Sequence, residues 1–321
     1  MAQRTGALEA PAIEAPRRSA SLWGDALRRL LKNRLAIVGG VIVLLLMIVA
    51  IVGPYIAPFD YRAQDFPGLA AYAKAHGGKS VPIPPFIGPH ILGTDQLGRD
   101  ILSRLMDGAR ISMTVAIVVQ VVVLFIGVPV GAAAAWFGGR IDSVLMRITD
   151  VVYAFPDLLF IILLSVALRD TAFGKALDGL LVVFVAIGLT AWVGMARLVR
   201  GQLLSLKETE FVEAAKAIGV SDFKIVTRHL LPNASGPMIV AITLGIPGAI
   251  LAEATLAFIG IGAQEPRASW GKLVAVGQSF IRSQPHLVLF PALAVAIALI
   301  SFTFLGDGLR DALDPKLKGK Q

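Results

Sequence analysis

The chain predicts an all-α membrane protein of six spanning helices, and three observations carry that prediction. First, 56% of its 321 residues are hydrophobic and 16% charged, with a mean hydropathy of +0.74; soluble domains carry about 25% charged residues. Second, charge-free runs of membrane length recur at residues 35–59, 111–139, 179–196 and 287–306, and two more hold a single acid each, 151–168 with Asp157 and 234–263 with Glu253. A hydrocarbon core about 30 Å thick takes roughly 20 helical residues. Third, the basic residues follow the connections: with a cytoplasmic N-terminus, 18 of the 30 Lys and Arg fall in inside segments and 10 in outside ones, the bias that orients spans. The expected division is a lead at 1–34, one six-helix domain at 35–308 and a tail at 309–321, with both termini cytoplasmic and little room for a second, soluble core.

Residues 1–20 are rich in Ala, Pro and Arg, a composition that stays disordered. Residues 21–34 suit a short amphipathic helix on the inner leaflet, Leu27, Leu30 and Leu31 on one side, Arg28, Arg29 and Lys32 on another, Trp23 at the interface. The polar lead and the long apolar run after it argue for a retained first span rather than a cleaved signal peptide. The longest polar connection, 60–109, is stiffened by Pro82, Pro84, Pro85 and Pro89, and Thr94 or Asp95 can cap a helix through Asp107. Gly127, Pro129 and Gly131 let the second span kink or pack closely, packing being favoured. Asp150, Asp157 and Arg197 suit interfacial or interhelical positions.

The connection 200–232 is more than a soluble loop. Phe211, Ala215 and Ile218 recur at i, i+4 and i+7, with Glu210, Glu213 and Lys216 elsewhere, the pattern of a short amphipathic helix. Gly219 follows, where a left-handed stop favours a residue without Cβ. Ser221 or Asp222 can cap a second helix with Phe223, Val226 and Leu230 on one face, and Pro232 is expected to end it. Two amphipathic helices bent at one glycine make a docking device.

Glu213-Ala214-Ala215, three residues, Gly219, nine residues, then His229-Leu230-Leu231-Pro232-Asn233 closely resembles the Glu-Ala-Ala loop of ABC importer permeases, in the variant of the dipeptide, oligopeptide and nickel permeases. Two further matches are similar to that family: 92–100 continuing to Arg110, with Gly93, Thr94, Asp95, Gly98, Arg99 and Asp100, and 306–315. The resemblance implies a type I ABC importer permease fold in a prokaryotic plasma or inner membrane. It implies a homologous but different permease as partner, two ABC ATPases carrying ATP and Mg, and an extracytoplasmic solute-binding protein. It makes Glu213, Ala214, Ala215 and Gly219, with His229, Pro232 and Asn233, the ATPase-coupling residues, and sets the 92–100 stretch where the binding protein docks. His229 suits packing and hydrogen bonding better than proton sensing.

The rest of the chemistry is absence. His76-Gly77-Gly78-Lys79-Ser80 imitates the end of a phosphate loop, but the glycine required upstream is Ala73. Four scattered histidines have no metal spacing, no cysteine is present, and no catalytic grouping stands out. The chain is expected to be non-catalytic, to hold no cofactor or metal, and to bind lipid rather than nucleic acid, its net charge of +8 being that of inside-facing Lys and Arg at anionic lipid. Glu253, about midway along the fifth span, either lines the translocation path or is a hydrogen-bonded acid between helices. Peptide is the expected cargo, with nickel complexes and glutathione-like solutes as alternatives; an ion-coupled secondary transporter would have no use for the 213–233 device.

Overall fold

Asn33 opens the first membrane-length helix. Its Oδ1 accepts from the N–H groups of Leu35 (3.1 Å) and Ala36 (3.2 Å), two donors that a helix start leaves unpaired. The structure is a computed structural model describing residues 22–78, 82–168 and 170–314, without the side chains of Leu22 and Trp23. The expected disorder of 1–20, the interfacial Trp23, the Lys79-Ser80 end of the phosphate-loop mimic and the end of the tail lie outside the described residues.

The helices run α1 (Leu22–Leu30), α2 (Arg34–Ile56), α3 (Phe66–Ala75), α4 (Ile101–Phe137), α5 (Gly139–Ala154), α6 (Asp157–Leu168) and α7 (Ala172–Lys175). There follow α8 (Leu180–Lys207), α9 (Glu210–Ala217), α10 (Asp222–Lys224), α11 (Leu231–Phe258), α12 (Trp270–Gly277) and α13 (His286–Leu313). β pairing among the described residues is limited to two isolated bridges, Ile87 with His90 and Thr94 with Asp100. Five helical stretches are long and apolar enough to cross a membrane: Arg34–Ile56, Ile101–Phe137, Ala172–Lys207, Asp222–Phe258 and His286–Leu313. A sixth is reached only if α5 and α6 count together, and they meet at 83°. The third span is therefore broken. Pro156 keeps Phe155 extended at φ −78°, ψ 133°, since a residue before proline avoids the helical region.

Two helix boundaries differ from expectation. α4 starts at Ile101, not after Thr94 or Asp95: Gly98 turns the chain at φ +74°, and Asp100 Oδ2 accepts from the N–H and the hydroxyl of Ser103, both at 2.7 Å. At the other boundary Pro232 ends nothing. Residues 225–230 form a π-helical turn, in which the N–H of Leu231 reaches back to the carbonyl of Val226. The wider turn displaces the carbonyl that a proline ring would strike, so α10 runs on into α11.

Close packing fixes the bundle. A Cβ on Gly127 would stand 2.8 Å from Met195 Cβ and 2.9 Å from the Trp192 carbonyl, and one on Gly131 would strike the carbonyl of Ala196. These glycines, four apart on one face, bring α4 against α8 as small residues do in membranes, which is the packing role expected of them. Val115, Val119, Val183, Ala186, Ile250 and Ala298 fill the core shared by α4, α8, α11 and α13. The spanning stretches alternate in direction, the end of α8 lying against the end of α4 through Lys207 and Trp136, so α1, α9 and the end of α13 lie at one end of the bundle, and α3, α7, α12 and the 57–100 connection at the other.

Candidate coupling site

α8 ends at Lys207, and only Glu208 and Thr209 separate it from α9. Thr209 stands at the N-cap and its hydroxyl donates to the Leu206 carbonyl at 2.5 Å. Of the eight residues of α9, Val212 and Ala215 are buried, Val212 completely. The face expected to dock is thus split: Ala215 turns inward, whereas Phe211 and Ile218 turn outward, Ile218 80% exposed, beside Phe223 at 77%. Val212 lies about 100° round the helix from Phe211, and the core is on its side. Glu213 and Ala214, between Phe211 and Ile218 in the chain, are exposed as well. Glu213 has no ion-pair partner among the described residues.

Gly219 turns the chain as expected, at φ +78°. Ile218, Gly219 and Val220 donate to the carbonyls of Ala214 (3.2 Å), Lys216 (3.0 Å) and Ala215 (3.0 Å), satisfying acceptors left over at a helix end. A Cβ there would meet nothing within 4 Å. Ser221 takes the N-cap position of α10 without a side-chain bond. Pro232 and Asn233 are exposed, and Asn233 Nδ2 donates to the His229 carbonyl at 2.7 Å. The His229 ring itself makes no hydrogen bond within the described residues, so the bonding expected of it comes from its backbone.

Local spacing gives no sign of the residues that pin this device. Lys207 Nζ donates to the carbonyls of Trp136 (2.6 Å) and Ala135 (3.2 Å), at the end of α4. Two ammonium groups approach the Trp136 indole, Lys207 at 5.4 Å and Lys216 at 5.3 Å from its ring centre. Nearby, Arg200 bonds Asp142 through two 2.6 Å contacts and Arg197 reaches Asp150 at 2.7 Å, fastening α5 to α8. All of these partners are distant in sequence. A cavity of about 770 Å³ opens beside the device, between α1, α8, α11 and α13, with Arg29, Gln202, Asn233, Leu244 and Arg310 in its wall.

At the opposite end, Gly93, Thr94, Asp95, Gly98, Arg99 and Asp100 are all buried within the chain. They do not offer a partner their side chains; they build the loop from inside. Asp95 Oδ2 binds Arg99 Nε at 2.7 Å, Arg99 Nη1 binds Glu265 Oε2 at 2.7 Å, and Lys272 Nζ approaches Glu265 Oε1 at 3.5 Å. His90 joins Asp100 (3.0 Å) and Asp65 (3.4 Å). Burial would raise the Glu265 carboxyl, but the hydrogen bond from Arg99 and the charge of Lys272 hold it below the usual carboxylate range. Burial likewise opposes the charge on Arg99, and Asp95 and Glu265 more than compensate, raising it. In Lys272 burial prevails and lowers the ammonium. Part of the outer surface of this connection is apolar, with Phe86, Ile87, Ile91 and Leu97 exposed, while Asp60, Arg62, Gln64 and Lys74 are exposed as well.

Glu253 is not midway along its span but five residues from the end of α11, at the 57–100 end. It is 1% exposed, and the Ser112 hydroxyl donates to its Oε2 at 3.4 Å while the Trp270 N–H donates to that hydroxyl at 3.3 Å. It sits between α4, α11 and α12, away from the wide cavity. This is an interhelical position, and Glu253 is not among the residues in the wall of that cavity.

Residues 127–319 match the family model described as binding-protein-dependent transport system inner membrane component, and residues 21–74 the N-terminal transmembrane domain of oligopeptide transport permease C. The oligopeptide transport system permease protein OppC of Haemophilus influenzae is 41% identical over 92% of this chain and 89% of its own length. The dipeptide transport system permease protein DppC of Bacillus subtilis is 42% identical over 97% and 90%, and the glutathione transport system permease protein GsiD of Pectobacterium atrosepticum is 37% identical over 92% of each. Among solved structures, a chain of the inward-facing MetNI methionine ABC transporter superposes with a TM-score of 0.54 at 20% identity, over 66% of this chain and 96% of that one.

Proposed function

Since this chain belongs to the family of binding-protein-dependent transport system inner membrane components, we propose that it forms half of the path of an ATP-driven peptide importer. A second, homologous permease forms the other half. Two ATPase chains, which bind ATP and Mg, seat on α9 and its counterpart from the cytoplasm. An extracytoplasmic binding protein delivers di- or oligopeptides to the apolar rim of the 57–100 connection. ATP closes the ATPase pair, the two α9 devices approach one another, and the spans rock between inward and outward openings as rigid bodies. Both termini are cytoplasmic in this reading, and α1 lies on the inner leaflet.

One observation carries it: α9 is held to the bundle by Val212 and Ala215 while Phe211, Glu213, Ile218 and Phe223 point away from it. Exposed apolar residues and an exposed acid with no ion-pair partner among the described residues, on a helix already seated on its other side, fit a protein partner. Peptide rather than glutathione-like cargo follows the names of the more similar relatives. The chain contains no cysteine, so Glu213→Cys gives a single reporter. With ATPases absent it should label with a membrane-impermeant maleimide only from the cytoplasmic side, and with them present it should cross-link to an ATPase. Labelling from outside refutes the proposal.

A further inference from the structure

We propose that Trp136, Lys207 and Lys216 clamp α9 to the paired ends of α4 and α8, so that a push on α9 enters the bundle through those two helices as well as through the turn that leads into α11. The inference deepens the coupling role proposed above and rests on it. These three are positioning residues: none needs to touch the ATPase or the cargo.

Two ammonium groups meet one indole, and one of them also binds the backbone beside it. Lys207, the last residue of α8, donates to two carbonyls in the last turn of α4, where the helix has no partners of its own for them and where its dipole favours a cation. Lys216, on α9, faces the same ring from 5.3 Å. Trp136 is largely buried, and a cation over a desolvated ring is held more tightly than over an exposed one. The two-residue link between α8 and α9 leaves no slack. Behind the clamp, Gly127 and Gly131 bring α4 and α8 into backbone contact, so the pair offers a stiff lever. On its other side α9 rests on the π-helical turn of 225–230, whose Ile225 and Leu230 are buried in the core with Val212 and Ala215, so the clamp adds a second connection to that one.

The test uses the full transporter in nanodiscs, with spin labels at Phe137→Cys and Ala217→Cys. The parent should give one narrow distance distribution that stays the same without nucleotide and with ATP trapped by vanadate. Lys207→Met should broaden it, and should lower labelled dialanine or tetra-alanine moved per ATP hydrolysed by about tenfold; Lys207→Arg, which keeps the donors and the cation, should restore both. A distance in the parent that changes with nucleotide overturns the clamp. So does a Lys207→Met protein with parental distance and parental yield per ATP. If Lys207→Met does not assemble, Lys216→Met, changed on an exposed surface, takes the same two measurements. Failure of the underlying coupling role looks different: Glu213→Cys then forms no cross-link to the ATPase in any background.

Discussion

Gly219 acts through its backbone alone. Its φ of +78° lies in the left-handed region, and a side chain there would touch nothing, so the effect of a substitution is conformational and not steric. A β-branched residue costs about 1–2 kcal/mol in that region, whereas asparagine tolerates it. Gly219→Val should therefore insert in the membrane at parental levels and lose peptide uptake, and Gly219→Asn should keep much of it; comparing uptake per inserted molecule decides. Equal loss in both variants would mean that something other than the turn conformation is at stake. The same distinction between backbone and side chain applies to His229, whose carbonyl is used by Asn233 while its ring makes no hydrogen bond within the described residues.

At the scale of elements, much of the coupling device is legible in the amino-acid sequence. The short amphipathic helix, its glycine stop and the apolar positions of 211–230 follow from periodicity and from the rarity of φ above zero. What periodicity cannot tell is which of two neighbouring faces meets the core: Val212 sits one position from Phe211, and the placement of α4 and α8 decides between them. Pro232 misleads for a related reason, since the rule that proline ends a helix assumes an α-helical turn before it, and residues 225–230 are π. Helix pairing itself is partly readable in Gly127 and Gly131. Gly131→Leu should force α4 from α8 and cost about 1–3 kcal/mol as an overpacked contact does. Gly201→Leu, on α8 itself but with open space around its Cβ, should cost little. Thermal unfolding of the two purified variants separates close approach from a general intolerance of leucine; equal melting temperatures would remove the α4–α8 contact as the reason for these glycines.

For the molecule as a whole, hydropathy locates the apolar segments, and the bent α5–α6 pair is the one that composition does not resolve, because the break depends on a single Phe-Pro step. The polar cap at the opposite end from α9 is out of its reach. Its cohesion comes from Arg99 and Glu265, 166 positions apart, and a sequence read locally places Arg99 in a helix capped by Thr94 or Asp95 with no sign of Glu265. The cap has a consequence for acid stability that can be signed. Burial works against the Glu265 charge, but Arg99 and Lys272 outweigh it, and the carboxyl sits below its ordinary value of 4.5. A depressed carboxyl contributes stability that is complete above the unfolded value and is lost as pH falls through the folded one. The contribution of Glu265 to the parent's melting temperature should therefore hold level down to about pH 4.5 and fall below it. Glu265→Gln should start lower on the plateau, because Arg99 loses an acceptor with charge, and should fall less steeply on the acid side. Other carboxylates titrate in the same range, so the difference between the two curves is the quantity to read. Parallel curves would mean that Glu265 is no better stabilised in the folded cap than in the unfolded chain, and the 2.7 Å contact with Arg99 would then hold the loops in place without stabilising them.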